Sequence, residues 1–192
     1  LTRVADNNYD PLNRLSRTLQ DMNGIAAETK FTYDALDNLT QVNDPKGLNT
    51  NYTYSGFSEL KTLQSPDTGS ATYEYDAAGN RTKQTDARNK VANYGYDALN
   101  RLTTVTYPTA AALNTTYTYD TTQAGCLADE TFSKGRLTKI ADQSGTTVYC
   151  YNRFGDLVRK RQTTNSQIIE LRYVYAANGT LSSVTYPDGA VV

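Results

Sequence analysis

Histidine is absent from all 192 residues, which removes the commonest general base and the commonest metal ligand. Cysteine occurs only twice, as Cys126 and Cys150, too few for a disulfide scaffold and wrongly spaced for zinc. No apolar run approaches the length of a membrane span. Neither sign of charge is in excess: 19 basic residues stand against 20 acidic ones, whereas a nucleic-acid partner calls for a basic stripe. Glutamate is scarce, with 15 Asp against 5 Glu, a bias that suits turns rather than helices. Leu1 is not followed by the charged segment and apolar run of a signal peptide, and the last residues come just after a turn signal. The expectation is a piece taken from within a longer protein.

Aliphatic residues are also sparse. Leu, Ile, Val and Phe together make only 35 of the 192 residues, a level that points to disorder when it accompanies high net charge. Here the net charge is −1, and 16 tyrosines replace the missing apolar area. A buried aromatic hides about 150–250 Å², but a tyrosine also carries a hydroxyl that needs a partner. The expected fold therefore has a tyrosine-dominated, rather wet core.

What organises the chain is a repeat. Tyr9, Tyr33, Tyr54, Tyr75, Tyr96, Tyr119, Tyr151 and Tyr175 recur at spacings of 24, 21, 21, 21, 23, 32 and 24 residues. From the second unit on, a second aromatic stands two residues earlier: Phe31, Tyr52, Tyr73, Tyr94, Tyr117, Tyr149 and Tyr173. Residues two apart share one face of a strand. A turn follows each pair, opened by Asp10, Asp34, Ser55, Asp76, Asp97, Asp120, Asn152 or Ala176. Three residues further on stands Asn13, Asp37, Ser58, Gly79, Asn100, Gly155 or Gly179, mostly types that tolerate a left-handed backbone. Second turns are expected at Asp21–Gly24, Asp44–Gly47, Pro66–Gly69, Asp86–Asn89 and Asp142–Gly145. Strand, turn, strand, turn is the reading, with helix weak throughout: Asp129–Phe132 is at most one turn, and Ala110–Leu113 an elongated second turn. The spacing of three in Leu39–Val42, Leu60–Leu63 and Leu102–Val105 is not a strand period. It implies either that the leucine belongs to the turn or that a bulge intervenes. In the sixth unit Leu137 lies 18 residues after Tyr119 rather than six. The chain is thus expected to be an array of about eight repeats over residues 1–192, with an insertion at about 121–134.

The units Phe31–Thr40, Tyr73–Thr82 and Tyr94–Thr103 closely resemble the Rhs (YD) repeat of bacterial Rhs and wall-associated proteins, insecticidal toxin complexes and teneurins. The resemblance implies an all-β fold. In it, tandem antiparallel β-hairpins form a curved, solenoid-like sheet that is a segment of a hollow shell. It implies a structural function, with the shell enclosing a C-terminal toxin or effector of the parent protein. The implied partners are further repeats and the enclosed effector of the parent polypeptide, and the implied location is outside the cell or on its surface. An extracellular module that binds carbohydrate or protein is the alternative. Open edge strands would favour self-association.

The conspicuous residues read as structural. The repeat tyrosines Tyr33, Tyr54, Tyr75, Tyr96, Tyr119, Tyr151 and Tyr175 could stack on sugars, but a chain this poor in aliphatics needs them for cross-strand packing. One Asp per repeat falls far short of the six to eight oxygens that calcium takes, so capping of the turn explains it better. No catalytic, cofactor or metal residues are expected, and the chain is not expected to be an enzyme. Counting back from the Asp142–Gly145 turn sets Ala141 opposite Thr146 and Leu137 opposite Cys150. Cys150 then lies beside the base of the insertion that holds Cys126, on the face opposite Tyr149 and Tyr151. A disulfide between the two is the expectation under oxidising conditions, with two unrelated thiols as the alternative.

Overall fold

The computed structural model describes residues 5–21 and 24–192, so Met22 and Asn23 of the expected turn after Asp21 lie outside the described residues. The chain divides into two units, Leu1–Val91 and Ala92–Val192. The first contains β1 (Ala5–Tyr9), β2 (Leu15–Gln20), β3 (Ala27–Tyr33), β4 (Leu39–Asn43), β5 (Asn49–Tyr54), β6 (Leu60–Ser65), β7 (Gly69–Tyr75) and β8 (Arg81–Thr85). β9 (Val91–Tyr96) opens the second, followed by β10 (Leu102–Thr106), β11 (Thr115–Tyr119), β12 (Leu137–Asp142), β13 (Gly145–Tyr151), β14 (Leu157–Thr164), β15 (Gln167–Tyr175) and β16 (Leu181–Thr185). Within each unit every strand pairs antiparallel with the next in sequence. Helix is confined to one 3₁₀ turn, Ala111–Leu113, among the described residues. Asp129–Phe132 forms none.

Each hairpin carries a β-bulge at its tyrosine. Tyr33 faces Leu39 while Thr32 faces Gln41, which leaves Thr40 as the extra residue. The same slip occurs at Tyr9, Tyr54, Tyr75, Tyr119, Tyr151 and Tyr175, and beside Tyr96 at Leu102/Thr104. The bulge absorbs one residue, so Leu39 and Val42 come to lie opposite Tyr33 and Phe31 on one face. That resolves the spacing of three. The extra residue is often Thr or Ser, and its hydroxyl donates across the pair: Ser16 to the Asn8 carbonyl, Thr40 to Thr32, Thr138 to Thr118.

The turns follow from the aspartate. Asp10 Oδ1 accepts the backbone N–H groups of Leu12 and Arg14, both at 2.9 Å, while the Asp10 N–H donates to the Arg14 carbonyl. The same pair of side-chain bonds recurs at Asp34, Asp76, Asp97 and Asn152, and in the second turns at Asp44 and Asp86. Satisfying two otherwise orphaned donors is the work of this residue. The residue three further on has positive φ in the short first turns, from 58° at Asn100 to 90° at Gly155. Asn, Asp and Gly at those positions meet that demand at little steric cost.

With one layer of strands there is little interior. No described residue of the first unit is buried. In the second, Thr138 is 0%, Cys150 1% and Arg159 4% exposed. That concentration of burial marks the place where the insertion lies on the sheet.

Candidate functional site

Two features gather chemistry: the tyrosine column and the insertion at 121–134, here termed the strap. In the column, the hydroxyl of one repeat donates to the leucine carbonyl of the repeat before it. Tyr33 reaches Leu15 at 2.8 Å, Tyr119 reaches Leu102 at 3.0 Å, Tyr151 reaches Leu137 at 2.8 Å and Tyr175 reaches Leu157 at 3.1 Å. Guanidinium groups of the preceding repeat lie over three of the rings: Arg14 over Tyr33 at 4.8 Å, Arg101 over Tyr119 at 4.4 Å and Arg136 over Tyr151 at 5.6 Å. Such contacts are attractive through the ring quadrupole. Loss of solvent raises the phenol pKa of Tyr54, Tyr75, Tyr119, Tyr151 and Tyr175. Tyr96 faces Leu102 across the ladder, as Tyr54 faces Leu60.

The same arginines join successive turns. Arg14 bonds Asp10 of its own turn at 2.7 Å, and in the next turn the Asp34 carbonyl at 3.0 Å and Asp37 at 2.6 Å. Arg101 bonds Asp97 at 2.7 Å and Asp120 at 2.5 Å. Hydrogen bonds from backbone N–H groups and from the partner side chains hold Asp10, Asp34, Asp76, Asp86 and Asp97 below the usual carboxylate range. These carboxylates are therefore turn acceptors already in use. No group of three or more Cys, Asp or Glu able to hold a metal occurs among the described residues.

The strap leaves the base of its turn intact, since the Asp120 N–H donates to the Arg136 carbonyl as Asp10 does to Arg14. Beyond that base it folds onto the face opposite the tyrosines. Thr131 forms a parallel bridge with Tyr151, with Phe132 N–H donating to the Tyr151 carbonyl and Tyr151 N–H to the Glu130 carbonyl. Cys126 is joined to Cys150 by a disulfide with Cα atoms 5.5 Å apart. Arg159, opposite Cys150 in register, makes a two-pronged ion pair with Glu130, both bonds 2.8 Å, and a third bond of 2.6 Å to Glu170. Burial pushes the Glu130 carboxyl up, but the bonds from Arg159 and the Leu127 N–H outweigh it and leave the carboxyl below its ordinary value. The bonds to Glu130 and Glu170 raise Arg159 in turn.

Sequence reasoning brought Cys126 and Cys150 to one place but did not find Glu130 or Arg159. Arg136, just past the strap, does other work: it donates to the Phe132 and Lys134 carbonyls. One signal was available. Continuing the register count onto β14 sets Arg159 beside Cys150, and Glu130 is the strap's only glutamate.

The RHS Repeat family model matches residues 9–50, 33–70, 54–91 and 75–112, which together cover more than half of the chain. No curated protein sequence matches significantly. Among solved structures, the TcdB2-TccC3-TEV crystal structure matches 96% of this chain with a TM-score of 0.72 at 15% identity. A Photorhabdus luminescens Tc holotoxin pore carrying the TccC3-D651A mutation matches 96% with a TM-score of 0.73 at 15% identity. TcdB2-TccC3-Cdc42 matches 98% with a TM-score of 0.66 at 13% identity. The chain spans only 11%, 11% and 14% of those three chains.

Proposed function

Because the chain belongs to the RHS repeat family, we propose that it is a length of wall in an Rhs-type β-shell that encloses a C-terminal toxin or effector of its parent polypeptide. The observation that carries this reading is the way each hairpin uses the polar groups of the one before it. Tyrosine hydroxyls, bulge carbonyls and turn carboxylates are consumed between repeats, which suits a surface whose task is continuity. The fold likeness to TcdB2-TccC3 supports it.

The mechanism is steric. Hydrogen-bonded strands stand about 4.8 Å apart, too close for a polypeptide to pass between them, so an enclosed effector stays out of contact with the cell that makes it. The chain's own part involves no catalysis, and the turn carboxylates that would be needed as acids or bases are already bonded to backbone N–H groups. A disulfide suits an exported protein. Among the described residues no helix is long and apolar enough to cross a membrane. The carbohydrate-binding alternative has less support, because four of the repeat hydroxyls are donated to backbone and three of the rings lie under guanidinium groups.

Limited proteolysis of the parent protein tests the reading. The enclosed segment is expected to resist protease while the wall is folded and to be cut once the wall is unfolded. Equal cleavage in both states would defeat it.

A further inference from the structure

Beside the strap, next to the disulfide, lies an open cavity of about 280 Å³. Its polar lining consists of Gln123 from the strap, Lys139 on β12, Thr146 on β13, and Arg161 and Thr163 on β14. Lys139, Thr146, Arg161 and Thr163 can each donate a hydrogen bond, whereas the Gln123 amide already donates to the Thr121 carbonyl at 2.9 Å and to Thr138 Oγ1 at 3.4 Å; no lining residue is acidic. We propose that this cavity is a binding site for a small tetrahedral oxyanion, a phosphate or sulfate group, either free or as an ester on a small molecule.

The register brings the donors together. Lys139 faces Val148 and Val148 faces Arg161, so the two cations stand on one face about 10 Å apart at Cα, two strand spacings. Their long side chains can converge above Val148. One step along, Thr146 faces Thr163 and brings two hydroxyls to the same side. Neither the Lys139 nor the Arg161 side chain has an ion-pair or hydrogen-bond partner among the described residues. Glu170, the acid opposite Arg161 in the ladder, is engaged elsewhere: its Oε1 accepts from Arg159 at 2.6 Å and from Arg172 at 2.8 Å. Two cations without acceptors in an acid-free concavity leave a local positive potential that an anion would neutralise.

Gly125 contributes to the cavity wall. Its φ is +100°, and a Cβ added there would lie 2.5 Å from Arg161 Nη1. The left-handed backbone at Gly125 suits glycine, and the missing Cβ leaves room for the Arg161 guanidinium beside the strap. A water takes about 30 Å³ of liquid volume, so the cavity accommodates an oxyanion with a small attached group.

Isothermal titration calorimetry of the oxidised full chain tests the proposal, with inorganic phosphate, sulfate and glucose 6-phosphate as probes and chloride holding ionic strength constant. Saturable binding with Kd of about 1 mM or tighter is expected for a few charge-assisted bonds offset by lost ligand freedom. The double variant Lys139→Ala/Arg161→Ala should weaken it by about tenfold or more. The charge-conserving Lys139→Arg/Arg161→Lys should retain saturable binding and shows that charge, not folding, is read. Tighter binding of glucose 6-phosphate than of phosphate assigns the site to an ester, and equal binding to the free ion. No saturation by any probe overturns the proposal, as does undiminished binding in a folded double alanine variant. Should that variant unfold, Thr163→Val decides: weakened binding supports the site, and unchanged binding overturns it.

Discussion

Replacing Glu130 by alanine removes one half of a charge pair that is almost wholly out of solvent: the Arg159 side chain is 5% exposed and that of Glu130 10%. Removing one partner of a fully buried pair costs about 3–5 kcal/mol, mostly because the other charge is left uncompensated. Arg159 keeps its bond to Glu170, itself 23% exposed, so the expected cost is smaller, about 2–3 kcal/mol. Replacing both, as Glu130→Ala/Arg159→Met, removes the stranded charge along with the pair. The double variant should therefore be more stable than the sum of the single losses requires, with a coupling of about 1–2 kcal/mol. Urea denaturation of the oxidised protein gives all four corners of the cycle. The pair also predicts a pH dependence. The Glu130 carboxyl lies below its ordinary value in the fold, so its contribution is fully present above the unfolded pKa and is lost as pH falls through the lower folded value. Wild type should thus lose more stability than Glu130→Ala on acidification below about pH 4.5, the ordinary glutamate value. A Glu130→Ala cost below about 0.5 kcal/mol, or strictly additive single effects, would refute the argument that this pair holds the strap.

Three further outcomes are expected. Tyr119→Phe should cost about 0.5–1.5 kcal/mol by removing the bond to the Leu102 carbonyl, read by thermal or urea unfolding; no loss would mean the inter-repeat bond contributes nothing. Denatured, non-reduced protein made under oxidising conditions should show no titratable thiol, and Cys126→Ser should cost about 3.5 kcal/mol on the chain-entropy estimate for a loop of this size; two free thiols in the folded, oxidised protein would end the proposal. Sedimentation should reveal concentration-dependent association through open strand edges, and a strictly monomeric chain at high concentration would count against it.

How much of this was legible in the sequence depended on whether a residue belonged to the repeat. The tyrosine column, the Asp-opened turn and the positive-φ position recur with fixed spacing, and each has a local cause: alternation along a strand, acceptors for free N–H groups, and relief of steric strain. The bulge was half-visible, because the Leu39–Val42 spacing excluded a plain strand without choosing between a longer turn and an extra residue. The register gave the right choice by setting Leu39 opposite Tyr33. The strap was only partly accessible. Counting from Asp142 set Cys150 near the insertion, but Glu130 and Arg159 are 29 residues apart and belong to different repeats. Their pairing follows from how the loop lies on the sheet, which no periodicity encodes. The tyrosine hydroxyls reach backbone carbonyls, and a carbonyl leaves no mark in a sequence, so those bonds were invisible despite the regular spacing.

The claim that this chain is a segment of enclosing wall is tested most directly by electron cryomicroscopy of the parent protein. Residues 1–192 should appear as consecutive hairpins in the wall of a closed hollow body, with density for the C-terminal segment inside it. Hairpins forming an open surface, with the C-terminal segment exposed to solvent, would contradict the claim.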